Sequence, residues 1–131
     1  MKYVLVTGAA GFIGAAVAKA MQQHGFIVVT VDNLSTGFRS NIPEGVIFFE
    51  GNCQDDKLIE SLAKYKFEAI FHIAGQSSGE ISFDNPIYDL ESNSSSTLLL
   101  LKLAMKVNCN KFIYASTMSI YGYLGDHAVS E

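Results

Sequence analysis

The sequence predicts an α/β domain built on a doubly wound parallel sheet, and three observations carry that prediction. Short apolar runs alternate with stretches of helical period along the 131 residues. The connections between the runs are too long for hairpins, so the strands must be joined by crossovers. Three glycines, Gly8, Gly11 and Gly14, stand between the first strand and the first helix, and an acidic residue, Asp32, closes the next strand.

The elements follow in order. Tyr3 to Val6 is a β-branched run that ends at Thr7 and Gly8, and Phe12 to His24 carries Ile13, Val17, Ala20 and Met21 at helical spacing. Phe26 to Val31 is continuously apolar, as a strand covered on both faces must be. Asn33 to Gly45 is polar and turn-rich, and it leads to a third strand over Val46 to Phe49. Asp55 is placed to cap a helix running to about Lys64. A fourth strand, Ala69 to Ile73, enters the small-residue loop that follows it. After Asp84-Asn85-Pro86 one long helix is predicted to about Val107, with Pro86 at its first turn. Phe112 to Ala115 makes a fifth strand, and the remaining residues show no strong period. Right-handed crossovers restrict the strand order to 3-2-1-4-5, a Rossmann-like sheet truncated at five strands. Ligands of such sheets bind beyond the carboxyl ends of the strands, where Gly8, Asp32, Asn52, Ala74 and Ser116 all fall.

Composition narrows the partners. A chain of this length, 49% hydrophobic, forms a single domain over residues 1–131 with a real core. Its net charge of -4, with nine Lys and Arg spread along the chain, leaves no footprint for nucleic acid. Cys53 and Cys109 have neither disulfide-framework nor metal-ligand spacing, so two ordinary thiols in a reducing cytoplasm are expected and no metal. Apolar runs fall well short of the roughly 20 residues a membrane helix needs.

The glycine motif carries the chemistry. The first glycine permits the tight turn, the second lets a diphosphate approach the backbone, and the third lets helix pack on strand. Free amides and the positive end of the helix dipole then hold the phosphates, which is how an acidic chain binds a dianion without lysine. The rival reading is a purely structural glycine turn. Asp32 can accept hydrogen bonds from a ribose diol and repel a 2′-phosphate, favouring NAD over NADP, and Arg39 is the nearest cation that could reverse this. Asn52 and Cys53 follow the third strand, where an adenine ring lies in this geometry. The Asn52 amide oxygen could accept from the adenine amino group, although asparagine after glycine also serves turns. His72, between Phe71 and Ile73, reads as a satisfied core histidine and not as a base. Leu98 to Leu101 is apolar all round its helix, so its outer side needs a cover, either a second subunit or further segments of the same chain.

Together these residues resemble the N-terminal part of an extended short-chain dehydrogenase/reductase of the NAD-dependent nucleotide-sugar epimerase/dehydratase family. The likeness rests on six motifs in order: TGAAGFIG, VDNLSTG, EGNCQD, IFHIAGQSS, NSSST and FIYASTMSIYG. It implies that NAD is held by Gly8, Gly11, Phe12, Ile13 and Gly14; by Asp32, Asn33, Leu34, Ser35, Thr36 and Gly37; by Asn52 and Cys53; by Ile73, Ala74, Gly75, Gln76 and Ser77; and by Asn93. It further implies a catalytic hydroxyl at Thr117, touching the cofactor and sharing a hydrogen bond with the sugar 4-OH. Asn52 stands where the family usually has Asp, and Ser96 where it usually has Gly. Met118 and Ser119 follow Thr117 in place of the acidic pair of the 4,6-dehydratases. The pattern is therefore similar to a UDP-glucose 4-epimerase, in which NAD transiently oxidises C4 of a nucleotide sugar.

The family's base, a tyrosine in a Tyr-x-x-x-Lys pair, has no counterpart. The residues four after Tyr3, Tyr65, Tyr88, Tyr114, Tyr121 and Tyr123 are Thr7, Ala69, Ser92, Met118, Gly125 and His127. The expectation is an N-terminal piece that holds NAD, lacks the sugar-selecting domain and is inactive alone. Alternatives are a non-catalytic NAD-binding sensor module, or part of an NAD(P)-dependent keto-sugar reductase or dehydratase. Homodimerisation through the helix over residues 86–107 is expected, or self-association or disorder at the fifth strand's edge and the apolar tail from Ile120 to Leu124.

Overall fold

The structure, a computed structural model, describes residues 1–123 and 125–130. Five parallel strands form one sheet: β1 (Tyr3–Thr7), β2 (Ile27–Asp32), β3 (Ile47–Glu50), β4 (Phe67–His72) and β5 (Phe112–Tyr114), in the order β3-β2-β1-β4-β5. Strand β1 lies at the centre, its Thr7 level with Val31 on one side and His72 on the other. Helix α1 (Phe12–Gln23) crosses from β1 to β2, α2 (Asp56–Ser61) leads towards β4, and three segments, α3 (Gly79–Asp84), α4 (Pro86–Leu90) and α5 (Ser96–Lys106), connect β4 to β5.

The pleat of β1 explains the two layers of core. Val4 and Val6 point to one face, where they pack with Ala18 of α1 and Val28. Leu5 points to the other, joining Val29, Val31, Ile59 of α2 and Leu100 and Leu103 of α5. With both faces covered, the strands have no polar side to show, which is why they read as continuous apolar runs. Asp55 caps α2 as expected, its carboxylate accepting from the amides of Lys57 at 2.9 Å and Leu58 at 3.4 Å.

Two elements depart from the sequence reading. The loop after β4 contains α3, a six-residue helix whose N-cap Ser78 accepts from the Ile81 amide at 3.3 Å. The single helix predicted after Pro86 is interrupted by a π turn over Glu91–Ser95, where the Ser96 amide reaches back to the Glu91 carbonyl. Ser96 and Thr97 explain the interruption: their hydroxyls donate to the carbonyls of Ser92 and Asn93, both at 2.6 Å, competing with the backbone for those acceptors. Ser96, which stands where the resemblance expects Gly, is fully buried. Leu100 is buried, while Leu98 and Leu101 are exposed on the outer side of α5. Ile120 is exposed, and Leu124, which ends that predicted apolar run, lies outside the described residues. No helix of the described residues is long and apolar enough to cross a membrane.

Candidate functional site

The carboxyl ends of β1, β2, β3 and β4 open into one cleft of about 330 Å³. Its floor is the turn between β1 and α1. Gly8 adopts φ +74, and a Cβ there would stand 2.8 Å from the Ala74 amide nitrogen, so the turn needs glycine both for its torsion and for its contact with the β4 loop. At Gly14 a Cβ would lie 2.0 Å from the Gly8 carbonyl oxygen, and only a hydrogen lets α1 sit this close to the strand. Gly11 is the N-cap of α1 and offers no side-chain cap. The first intrahelical acceptor is used by Ala15, which bonds the Gly11 carbonyl at 3.0 Å. The amides of Phe12, Ile13 and Gly14 precede it and line the cleft with the positive end of the helix dipole.

Asp32 stands at the tip of β2. Its two oxygens accept one amide each, from Ala10 at 2.9 Å and Leu34 at 2.8 Å. A carboxylate has about four acceptor positions, so two remain for a diol. Leu34, whose amide makes the second of these bonds, has φ 58, an unusual torsion for a leucine. No lysine or arginine lines the cleft. Arg39 turns elsewhere: its guanidinium pairs with Glu50 at 3.2 Å and stacks on the Phe48 ring.

The other predicted residues divide. Gly8, Gly11, Phe12, Ile13, Gly14, Asp32, Asn33, Ser35, Thr36, Gly37, Asn52, Cys53, Ile73, Ala74 and Gly75 line the cleft, together with four that sequence reading missed: Gly51, Gln54, Tyr88 and Ser92. Tyr88 and Ser92 are one helical turn apart, and Ser92 directly precedes Asn93, a spacing that could have flagged them. The Ser92 hydroxyl is the one buried side-chain polar atom without a hydrogen-bond partner among the described residues. Leu34, Gln76, Ser77 and Asn93 lie outside the lining. Asn93 instead clamps the loop wall: its side chain accepts from the Gln76 amide at 2.8 Å and donates to the Gln76 carbonyl at 2.9 Å. The Asn52 oxygen is engaged by the Asn33 side-chain amide at 2.7 Å and so is not wholly free for a ligand. Thr117 also lies outside the lining, in the exposed segment after β5, where its hydroxyl accepts from the Ser119 amide at 3.2 Å.

Two titratable groups near the cleft are held neutral. Burial, and secondarily the charge of Asp32, push the Cys53 thiol up to about 12. Burial lowers His72 to about 4, and its ring is bonded on both nitrogens, as the core-histidine reading expects. Among the described residues no group of three His, Cys, Asp or Glu could hold a metal ion.

Residues 4–131 match the model of the NAD dependent epimerase/dehydratase family. The chain belongs to that family. Among epimerase/dehydratase relatives, it is 33% identical over 120 residues to the UDP-glucose 4-epimerase of Azospirillum brasilense, covering 91% of this chain and 34% of that protein. The crystal structure of Thermus thermophilus UDP-glucose 4-epimerase in complex with NAD superposes with a TM-score of 0.88 at 34% identity, over 98% of this chain and 42% of that one. The Thermotoga maritima UDP-glucose 4-epimerase, solved with UDP-glucose, gives a TM-score of 0.84 at 37% identity, over 88% and 38%. The chain spans between 34% and 39% of the length of the curated relatives it matches.

Proposed function

We propose that these residues are the NAD-binding part of a UDP-sugar 4-epimerase. The observation that carries the reading is the uncapped N-terminus of α1, whose amides line a cation-free cleft beside the Asp32 carboxylate. The residues present fit the cofactor. Main-chain amides at Phe12 and Ile13 would take the diphosphate, the spare acceptors of Asp32 the adenosine ribose, and Asn33, Asn52 and Cys53 the adenine side. When bound, NAD supplies reversible hydride transfer at C4 of the sugar.

The chain's own residues then orient and exclude. The segment Ile73–Gln76, held by Asn93, lies against the glycine turn at Gly8 and lends Ile73, Ala74 and Gly75 to the lining. Thr117 uses a lone pair on Ser119 and keeps its hydrogen for a substrate oxygen, the role proposed for it at the sugar 4-OH. No tyrosine here is followed four residues later by lysine, so the activating base is proposed to come from outside these 131 residues, which alone bind NAD and turn over no sugar. The exposed apolar row of Phe83, Ile87, Leu90, Leu98, Leu101 and Met105 is proposed to pack against a second copy of the chain. Cytoplasmic location is proposed on the two free thiols.

Calorimetry with NAD and with NADP tests the reading. Saturable NAD binding, at least about tenfold tighter than NADP, supports it. Tighter NADP binding, or none of either, overturns it.

A further inference from the structure

A buried hydroxyl and imidazole relay links the two walls of the cleft. Thr7 ends β1, immediately before the glycine turn, and its Oγ1 accepts the amides of both Ile73 and Ala74 at 3.1 Å. With both lone pairs used, its single hydrogen goes to His72 Nδ1, 2.8 Å away, in preference to the sulfur of Cys53, which also bonds Thr7 but is much the weaker acceptor. His72 Nδ1 is therefore an acceptor, and the ring carries its proton on Nε2. The far side of the ring requires the same tautomer independently. Thr97 and Ser96, at 3.1 and 3.4 Å from Nε2, spend their hydrogens on the carbonyls of Asn93 and Ser92 and turn lone pairs towards the imidazole. Those two carbonyls belong to the π turn, and Asn93 is the residue whose side chain grips Gln76 on both backbone atoms.

We infer that His72 is a positioning residue: fixed as the Nε2–H tautomer by Thr7, it holds the π turn through Thr97 and Ser96, and so sets where Asn93 clamps the Ile73–Gln76 wall. The glycine turn and the β4 loop beside it are thereby referenced to one hydroxyl, that of Thr7. A histidine that merely filled the core would need neither a defined tautomer nor a partner on the π turn. The ring is 1% exposed and packs at 6.0 Å from Tyr114 and 6.3 Å from Phe112, so it cannot swing to an alternative partner. The consequence for ligand affinity rests on the NAD-binding reading above; the consequence for the loop does not.

The test uses wild type, Thr97→Val, His72→Phe and His72→Gln. Long-range 1H–15N correlation of wild type should show Nε2 protonated and Nδ1 bare. Thr97→Val keeps the shape of the side chain and removes the acceptor, so amide exchange at Gln76 should quicken about tenfold while exchange in β1 and β2 stays unchanged. His72→Phe should do the same and weaken NAD about tenfold, with partial rescue in His72→Gln, whose amide can still reach Thr97. An Nδ1–H tautomer, or unaltered Gln76 exchange in Thr97→Val, overturns the inference even if His72→Phe does not fold. If wild type binds no NAD, the cofactor reading fails, and tautomer and exchange still decide the role of His72.

Discussion

Two glycine-to-alanine substitutions three residues apart should fail in opposite ways. At Gly14 the added Cβ would lie 2.0 Å from the Gly8 oxygen, 2.5 Å from the Gly8 carbonyl carbon and 3.0 Å from the Ala9 Cα. These are backbone atoms of the turn itself, so no side chain can rotate aside and α1 must move by about an ångström. Alanine in a helix is intrinsically better than glycine by about 1 kcal/mol, but overpacking of this kind costs roughly 1–3 kcal/mol beyond that, leaving a net loss. For a domain of this size the melting temperature should fall by roughly 4–12 °C. At Gly11 the added Cβ meets only the Gly8 oxygen, at 3.3 Å, on an extended backbone that alanine adopts freely. Its remaining surroundings are the open cleft. Gly11→Ala should therefore melt within a few degrees of wild type and yet weaken NAD by about tenfold or more. Scanning calorimetry and binding calorimetry on the same preparations separate the two effects. Equal melting losses, or a Gly11→Ala that binds NAD as wild type does, would refute the assignment of packing to one glycine and ligand approach to the other.

Three further outcomes are expected. In the folded protein His72 sits at about 4 against an ordinary 6.5, so between those pH values the unfolded chain binds a proton that the folded chain does not. Stability should fall as pH drops through that window, by about 3 kcal/mol in all, and denaturant titrations of His72→Gln should lose this one-proton slope. A thiol reagent at pH 8 should label the half-buried Cys109 in the native protein and reach Cys53, pushed up to about 12, only on unfolding; rapid native labelling of Cys53 counts against its burial. Asp32→Asn removes the charge while keeping the shape, so the ratio of NADP to NAD affinity should rise by about tenfold or more; an unchanged ratio means that Asp32 does not discriminate.

The sheet was legible because burial on both faces leaves its inner strands few polar positions: Val28 to Val31, broken only by the small Thr30, announces β2. The glycine turn and Asp32 were legible for a similar reason, since each is the residue type that its backbone geometry or ligand demands. Helix α3 was not, because its six residues alternate polar and apolar after Gly79 and carry no helical period, and only the Ser78 cap marks it. The π turn was hidden in a different way. Nothing in the run of serines and a threonine after Pro86 marks which of them turn back to bond the chain; Ser96 and Thr97 do so where they meet His72, distant in sequence and reached only through β4. Ser92 lines the cleft from within that turn, and Tyr88 from α4 just before it. Thr117 was named from motif order alone, and the structure sets it in an exposed segment outside the cleft lining.

Titration of 15N-labelled protein with NAD, read at the backbone amides, tests the central claim most directly. The account predicts that Gly11, Phe12 and Ile13 shift first and furthest, joined by Asp32 and Leu34, while the second hollow between α1 and residues 40–44, lined by Lys19 and Gln22, stays silent. Shifts concentrated at that hollow, with the amides of Phe12 and Ile13 unmoved at saturation, would contradict it.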